Sequence, residues 1–212
     1  MSSKTLYGPF KQLLTMNGLP LKGSLKEEQL EILKNAGIIV QDGKVLDLGS
    51  YSDLENIHSD SEKTFNNNSE QIALPSFIDC HTHICWGGNR VNDYSMRVAG
   101  KSYLEIAASG GGISDTVTET RKASEDKLVE LILDRAKQHL QRGITTIEVK
   151  SGYGLNLDDE LKMLRAIKKA NEKIAVRLIP TFLGAHIKPK DFDGSHGEYL
   201  DFLLQEVVPI IV

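Results

Sequence analysis

Apolar positions in the second half of the chain recur in two alternating rhythms, and the alternation predicts the fold. Val129, Ile132, Leu133, Ala136 and Leu140 fall on one face of a helix read over 125–142. Ser124 is placed to cap it, Glu125 and Asp126 suit the positive end of its dipole, and Gly143 ends it. Ile144-Thr145-Thr146-Ile147-Glu148-Val149 is β-branched and reads as a strand, with Ser151-Gly152-Tyr153-Gly154 as the loop at its C-terminal end. A second helix, about 158–172, carries Leu161, Leu164 and Ile167 on one face. The next strand runs from Ala175 to Leu183 and closes on Gly184-Ala185-His186, and a helix restarts over 197–208. Strands and helices alternating at these lengths predict a parallel sheet with crossover helices, either doubly wound or a (β/α)8 barrel. In both, chemistry gathers at the C-terminal ends of the strands, where His83, Tyr153 and His186 fall.

The first 74 residues follow a different rhythm. Residues 5–16 read as a strand and turn, and 24–34 as a short helix or an inserted loop. A hairpin follows, with Ala36 to Val40 leading into Asp42-Gly43 and Lys44 to Leu48 returning. Residues 50–70, including Asn66-Asn67-Asn68, are polar and read as a loop of low order; strand character resumes at Ile72-Ala73-Leu74. Residues 1–74 are therefore expected to form a small, open β-module. Past Arg90, residues 91–109 are helical in parts. Ser109-Gly110-Gly111-Gly112-Ile113 lacks the glycine spacings of phosphate-binding loops and reads as a turn needing positive φ or close backbone approach.

Composition narrows the class without changing this picture. The 212 residues are 40% hydrophobic and 25% charged, with a formal charge of -4, ordinary for a globular protein and unlike the basic face that nucleic acid requires. No apolar run approaches the ~20 residues of a membrane span, and Met1-Ser2-Ser3-Lys4 lacks the apolar core of a signal peptide. The expectation is a cytoplasmic protein with neither nucleic acid nor membrane as partner. Asn67-Asn68-Ser69 fits a glycosylation sequon, which this expectation makes idle. Cys80 and Cys85 give no disulfide framework and no zinc-ribbon spacing, and both read as small packing residues.

The candidate chemistry sits on Pro75-Ser76-Phe77-Ile78-Asp79-Cys80-His81-Thr82-His83. Side chains on a strand alternate faces, so His81 and His83 point the same way with Asp79 in line behind them. Two imidazoles on one face suit zinc, iron or nickel, and a catalytic site needs about three protein ligands. Two unconnected histidines at a strand end would satisfy the same spacing. A glycine-rich loop carrying Arg90 follows.

Several segments share a resemblance. His81-Thr82-His83, Gly87-Gly88-Asn89-Arg90, Ser109 to Ile113, Glu148-Val149-Lys150-Ser151-Gly152-Tyr153-Gly154-Leu155, Glu160 to Arg165 and Gly184-Ala185-His186 together resemble the imidazolonepropionase family of the metal-dependent amidohydrolase superfamily. The resemblance covers about residues 72–190; residues 1–71 share only a pattern. It implies an α/β fold, the N-terminal part of a (β/α)8 barrel over 75–212, preceded by part of a β-sandwich over 1–74. It implies hydrolysis of 4-imidazolone-5-propanoate to N-formimidoyl-L-glutamate in histidine degradation, one divalent metal (zinc or iron), and a homodimer of the full-length form. By matching position His81 and His83 would hold the metal, while Arg90, Tyr103, Tyr153 and His186 would contact substrate.

Such a barrel needs about 250 residues, and residues 75–212 supply three of its strands. The remaining metal ligands and the general acid and base have no counterpart before Val212. This chain is therefore expected to be inactive alone and to expose sheet edges. Two alternatives stand beside the resemblance, another cyclic amidohydrolase or deaminase of the same fold, and a non-catalytic remnant or binding protein. A carboxylated Lys150 bridging two metals is a further option, Asp79 reads as structural, and His58, His139 and His196 read as surface or helix histidines.

Overall fold

A computed structural model describes residues 3–65 and 70–211; Asn66-Asn67-Asn68 and the Asn67-Asn68-Ser69 sequon lie outside the described residues. The chain divides into two compact units, Met1–Pro75 and Ser76–Val212.

In the first unit β1 (Lys4–Leu14), β2 (Ile32–Gln41), β3 (Lys44–Ser50) and β4 (Glu62–Phe65) form one sheet in the order β3-β2-β1-β4, and β5 (Ile72–Ala73) also pairs with β1. The expected hairpin forms between β2 and β3. Asp42 and Gly43 both take positive φ, +53° and +72°, which a two-residue turn between twisted strands demands. Residues 24–34 contain only a single 3-10 turn, Glu27–Gln29, before β2 begins. The described residues of the polar stretch 50–70, 50–65 and 70, are not the loop their composition suggests. They hold helix α1 (Tyr51–Ile57) and β4. A seven-residue helix shows too few apolar positions for its period to be read. Leu54 is the one α1 side chain that is fully buried, packing on Leu6 and Ile39 beside Tyr51. Gly8 and Gly37 make room for that tyrosine, since a Cβ on either would stand 2.9 or 3.1 Å from its ring.

The second unit is built on the parallel sheet that the periodicity predicts, β6 (Phe77–Thr82), β7 (Ile144–Lys150) and β8 (Arg177–Thr181), in the order β6-β7-β8. Helices α2 (Val91–Val98), α3 (Tyr103–Ala108), α4 (Ile113–Lys122) and α5 (Glu125–Leu140) separate β6 from β7, and α6 (Leu157–Asn171) connects β7 to β8. A 3-10 turn (Gly184–His186), α7 (His196–Phe202), a π turn (Leu203–Val207) and α8 (Val208–Ile211) follow. Helix α4 is not legible in the hydropathy pattern because two of its three buried residues, Thr116 and Thr120, are polar. Its entry is the glycine-rich turn, where Gly110 and Gly112 take φ of +94° and +78°.

The expected cap of α5 forms, the Ser124 hydroxyl accepting the Lys127 N–H at 3.1 Å. Leu128, Ile132 and Ala136 of α5 and Met163, Ala166 and Ile167 of α6 are fully buried against Ile147 and Val149 of β7. The buried face of α6 is therefore centred on Met163, Ala166 and Ala170 rather than on Leu161 and Leu164, and it includes a carboxylate, Glu160. Because strand side chains alternate, Glu148 and Lys150 turn to the face of the sheet opposite these helices. Among the described residues β6 and β8 each pair on one side only, and Phe77 and Ile78 on β6 are exposed. No helix of the described residues is long and apolar enough to cross a membrane.

Candidate active site

The strands end together. Thr82 pairs with Val149, and Lys150 with Thr181, so the loops after β6, β7 and β8 emerge side by side. They bring four of the expected residues into one cluster. Strand β6 ends at Thr82, so His83 is the first residue beyond it and not, as expected, its last strand residue. Its ring still lies 5.6 Å from that of His81. His83 stacks on His186 at 4.9 Å and stands 5.5 Å from Tyr153, which in turn lies 5.3 Å from His186.

The loop after β7 carries Tyr153 between two glycines. Gly152 takes φ +96° and Leu155 φ +58°, a left-handed conformation rare for leucine. Buried Glu160 accepts the N–H groups of Gly152, Gly154 and Leu155. The Ser151 hydroxyl accepts the Leu183 N–H at 2.9 Å, and His186 Nδ1 bonds the Gly152 carbonyl at 2.9 Å, tying the loops after β7 and β8 together. Burial, opposed by the charge of Arg90, pushes the Tyr153 phenol above its ordinary pKa, so it keeps its proton at neutral pH.

Arg90 stands at the start of α2. Its Nε donates to Thr116 Oγ1 at 2.7 Å and its Nη1 to Asp93 Oδ2 at 2.8 Å. Asp93 Oδ2 also accepts the Gly112 N–H at 2.9 Å. A Cβ on Gly111 would fall 2.3 Å from Asp93 Oδ1, which gives the glycine-rich turn its purpose. Arg90, Tyr94, Arg97 and Tyr103 line an open cavity of about 210 Å³, and Tyr103 is exposed at its rim. The six expected residues thus fall into two groups. His81, His83, Tyr153 and His186 cluster, whereas Arg90 and Tyr103 line a cavity beside them, with Arg90 near enough for its charge to act on Tyr153.

The histidine pair suits a metal as far as it goes. Burial first, then His186, His81 and Lys150, hold the His83 pKa below the ordinary imidazole value, against the pull of Glu148. The ring is neutral, as a ligand must be. Its Nδ1 is buried with no hydrogen-bond partner among the described residues. Among the described residues no group of three His, Cys, Asp or Glu side chains converges on one point, so the pair offers two positions of about four.

Asp79 backs the pair as expected, Oδ1 accepting the His81 N–H at 3.3 Å while Oδ2 lies 3.5 Å from His139 Nε2. Lys150 is ion-paired to Glu148 at 2.6 Å, which disfavours a carboxylated lysine. Glu148 itself was not singled out by the sequence, although its i, i+2 relation to Lys150 at a strand end was visible. Its Oε1 also accepts from Thr181, its Oε2 is buried with no partner among the described residues, and the Lys150 bond holds its pKa below the usual carboxylate range. The cysteines part company. Cys85 packs in the core, where burial pushes its thiol up to about 12, but Cys80 is exposed on β6 and is not a packing residue.

Comparison with solved structures identifies the fold. The chain superposes on a zinc- and atraton-bound mutant of the atrazine chlorohydrolase TrzN from Arthrobacter aurescens (TM-score 0.57, 18% identity, covering 95% of this chain and 43% of that one). It also superposes on E. coli guanine deaminase (TM-score 0.52, 13% identity, covering 96% and 42%). The chain therefore shares an α/β fold with part of each of these two proteins. No family profile matches the chain. In sequence the chain is similar to the N-terminal part of imidazolonepropionases. It is 35% identical over 198 residues to that of Clostridium tetani, covering 93% of this chain and 47% of the relative. It is 41% identical over 179 residues to that of Vibrio cholerae, covering 84% and 43%. The chain spans about half the length of the curated relatives it matches.

Proposed function

We propose that the chain carries the metal-pair and substrate-clamp portion of a hydrolase that opens the ring of 4-imidazolone-5-propanoate by cleaving a cyclic C–N bond. On this reading the second unit is the first part of a (β/α)8 barrel and the first unit is part of a β-sandwich. The observation that carries the reading is Arg90, a guanidinium already oriented by Thr116 and Asp93 at the mouth of a cavity. Those two bonds leave the Nη2 edge to meet the substrate propionate, and a planar fork is suited to a carboxylate. Tyr153, protonated by virtue of its burial, donates a hydrogen bond to the ring or its acid arm.

His186 is more constrained than expected. A carbonyl can only accept, so Nδ1 must carry the proton that bonds Gly152, and a neutral ring then presents Nε2 as an acceptor. It suits a ring N–H of the substrate, not the carboxylate. His81 and His83 would hold a divalent ion, zinc or iron, which when bound supplies an activated water and polarises the ring carbonyl. The similarity to imidazolonepropionases supports this substrate over the triazine and guanine rings named for the structural neighbours.

The test is calorimetric titration of the chain with imidazole-4-propionate, a stable ring bearing the same acid arm. Wild type binds it, and Arg90→Gln weakens binding about tenfold or more, while imidazole lacking the arm is indifferent to the substitution. Equal binding by both chains would remove the carboxylate clamp. Preference for guanine or a triazine would favour another cyclic amidohydrolase of the same fold.

A further inference from the structure

Glu160 is an unusual residue to find where it is. It lies in the first turn of α6, fully buried, and among the described residues no lysine or arginine bonds its carboxylate. A buried charge without a partner is costly, and here three backbone N–H groups answer it. Oε1 accepts from Gly154 and Leu155, each at 2.8 Å, and the Gly152 N–H is shared between both oxygens at 3.1 Å. The approach is close enough that a Cβ on Gly154 would stand 2.5 Å from the Glu160 nitrogen. The same Gly152 whose N–H points at Glu160 offers its carbonyl to His186 Nδ1.

We infer that Glu160 is a positioning residue of the site. Its carboxylate fixes Gly152, the Gly152 carbonyl fixes the proton of His186 on Nδ1, and Nε2 is thereby left as the bare acceptor of a ring that stacks on His83. Tyr153 is held between two residues anchored to the same carboxylate. The inference rests on the reading that His186 and Tyr153 face the substrate, and it names the residue that gives His186 its acceptor character.

Glu160→Gln separates positioning from bulk stability. The amide has nearly the same volume, and its oxygen can still accept from Gly154 and Leu155. Its NH₂ replaces the second acceptor of the Gly152 N–H and opposes that group donor to donor. The readout is ring nitrogen NMR of histidine in the isotopically labelled 212-residue chain. In wild type His186 shows a protonated Nδ1 and a bare Nε2. In E160Q both His186 nitrogens move toward the average of the two tautomers, while His58 and His196 stay in place. A folded E160Q chain with His186 unchanged overturns the proposal, as does a wild-type His186 protonated on Nε2. Should E160Q fail to fold, the wild-type chain decides. Nδ1 protonation together with a slowly exchanging Gly152 amide upholds the proposal, and absence of either overturns it. Failure here is distinct from failure of the functional reading, which shows as loss of imidazole-4-propionate binding with the tautomer intact.

Discussion

The loops after β6 and β7 solve one problem with opposite charges. Each carries a residue of the histidine and tyrosine cluster, and each is pinned by an ionised side chain from a helix behind it. After β7 the pin is an anion, Glu160 of α6, which gathers three N–H groups. After β6 it is a cation, Arg135 of α5. Its Nη1 donates to the carbonyls of Ile84 and Trp86 at 2.7 and 2.8 Å, and its guanidinium lies 4.1 Å from the centre of the Trp86 ring. Burial draws the Arg135 pKa down from its usual value, yet arginine keeps its charge in proteins. The chain direction explains the choice. Glycines and a left-handed leucine turn successive N–H groups inward after β7, whereas the loop after β6 turns carbonyls inward. Both charges are spent on backbone, so the geometry of the two loops is set before any ligand arrives.

The comparison can be broken in several ways. The largest effect is expected for Glu160→Ala, which leaves three buried N–H groups without an acceptor and should cost about 3 kcal/mol or more in urea unfolding. Arg135→Ala removes two hydrogen bonds to carbonyls, together with a cation–π contact, and should cost about 1–3 kcal/mol. Trp86 is the single tryptophan of the chain, so the same variant should shift its fluorescence to the red; an unchanged spectrum would mean that Arg135 does not hold the loop. If Arg135→Ala costs as much as Glu160→Ala, the asymmetry between the two pins is wrong.

A smaller effect concerns pH on the β6 side. The folded His83 pKa lies below the unfolded value of about 6.5. Below that value the unfolded chain takes up a proton that the folded chain refuses. Stability of the metal-free chain should therefore be complete above about pH 7 and decline as pH falls through 6.5 toward the folded pKa. His83→Gln should flatten that slope, and an equal slope in both chains would place the titration elsewhere. The smallest effect is chemical. Native chain should take one equivalent of a thiol-alkylating reagent, at exposed Cys80, with Cys85 reacting only on unfolding.

The parallel sheet, its crossover helices and the hairpin were legible because long apolar periods and an Asp-Gly turn leave few alternatives. Helices α1 and α4 were not, the first for its length and the second because threonines do the packing. His81, His83, Arg90, Tyr103, Tyr153 and His186 stood out through motif and resemblance, but their division into a ring cluster and an arginine cavity depends on long-range packing. Arg135 left no signal of its own, and Glu160 entered only as the first residue of the resembling Glu160 to Arg165 segment, with no role attached. In sequence each is one more charged residue on an amphipathic helix, and hydrogen bonds made to backbone leave no partner side chain to reveal them.

The most direct measurement of the functional claim is hydrolysis of 4-imidazolone-5-propanoate by a chimera in which residues 1–212 replace the matching part of a full-length imidazolonepropionase relative. The account predicts metal-dependent turnover that falls at least about tenfold with Arg90→Gln. A soluble, metal-loaded chimera that leaves this substrate intact would contradict it.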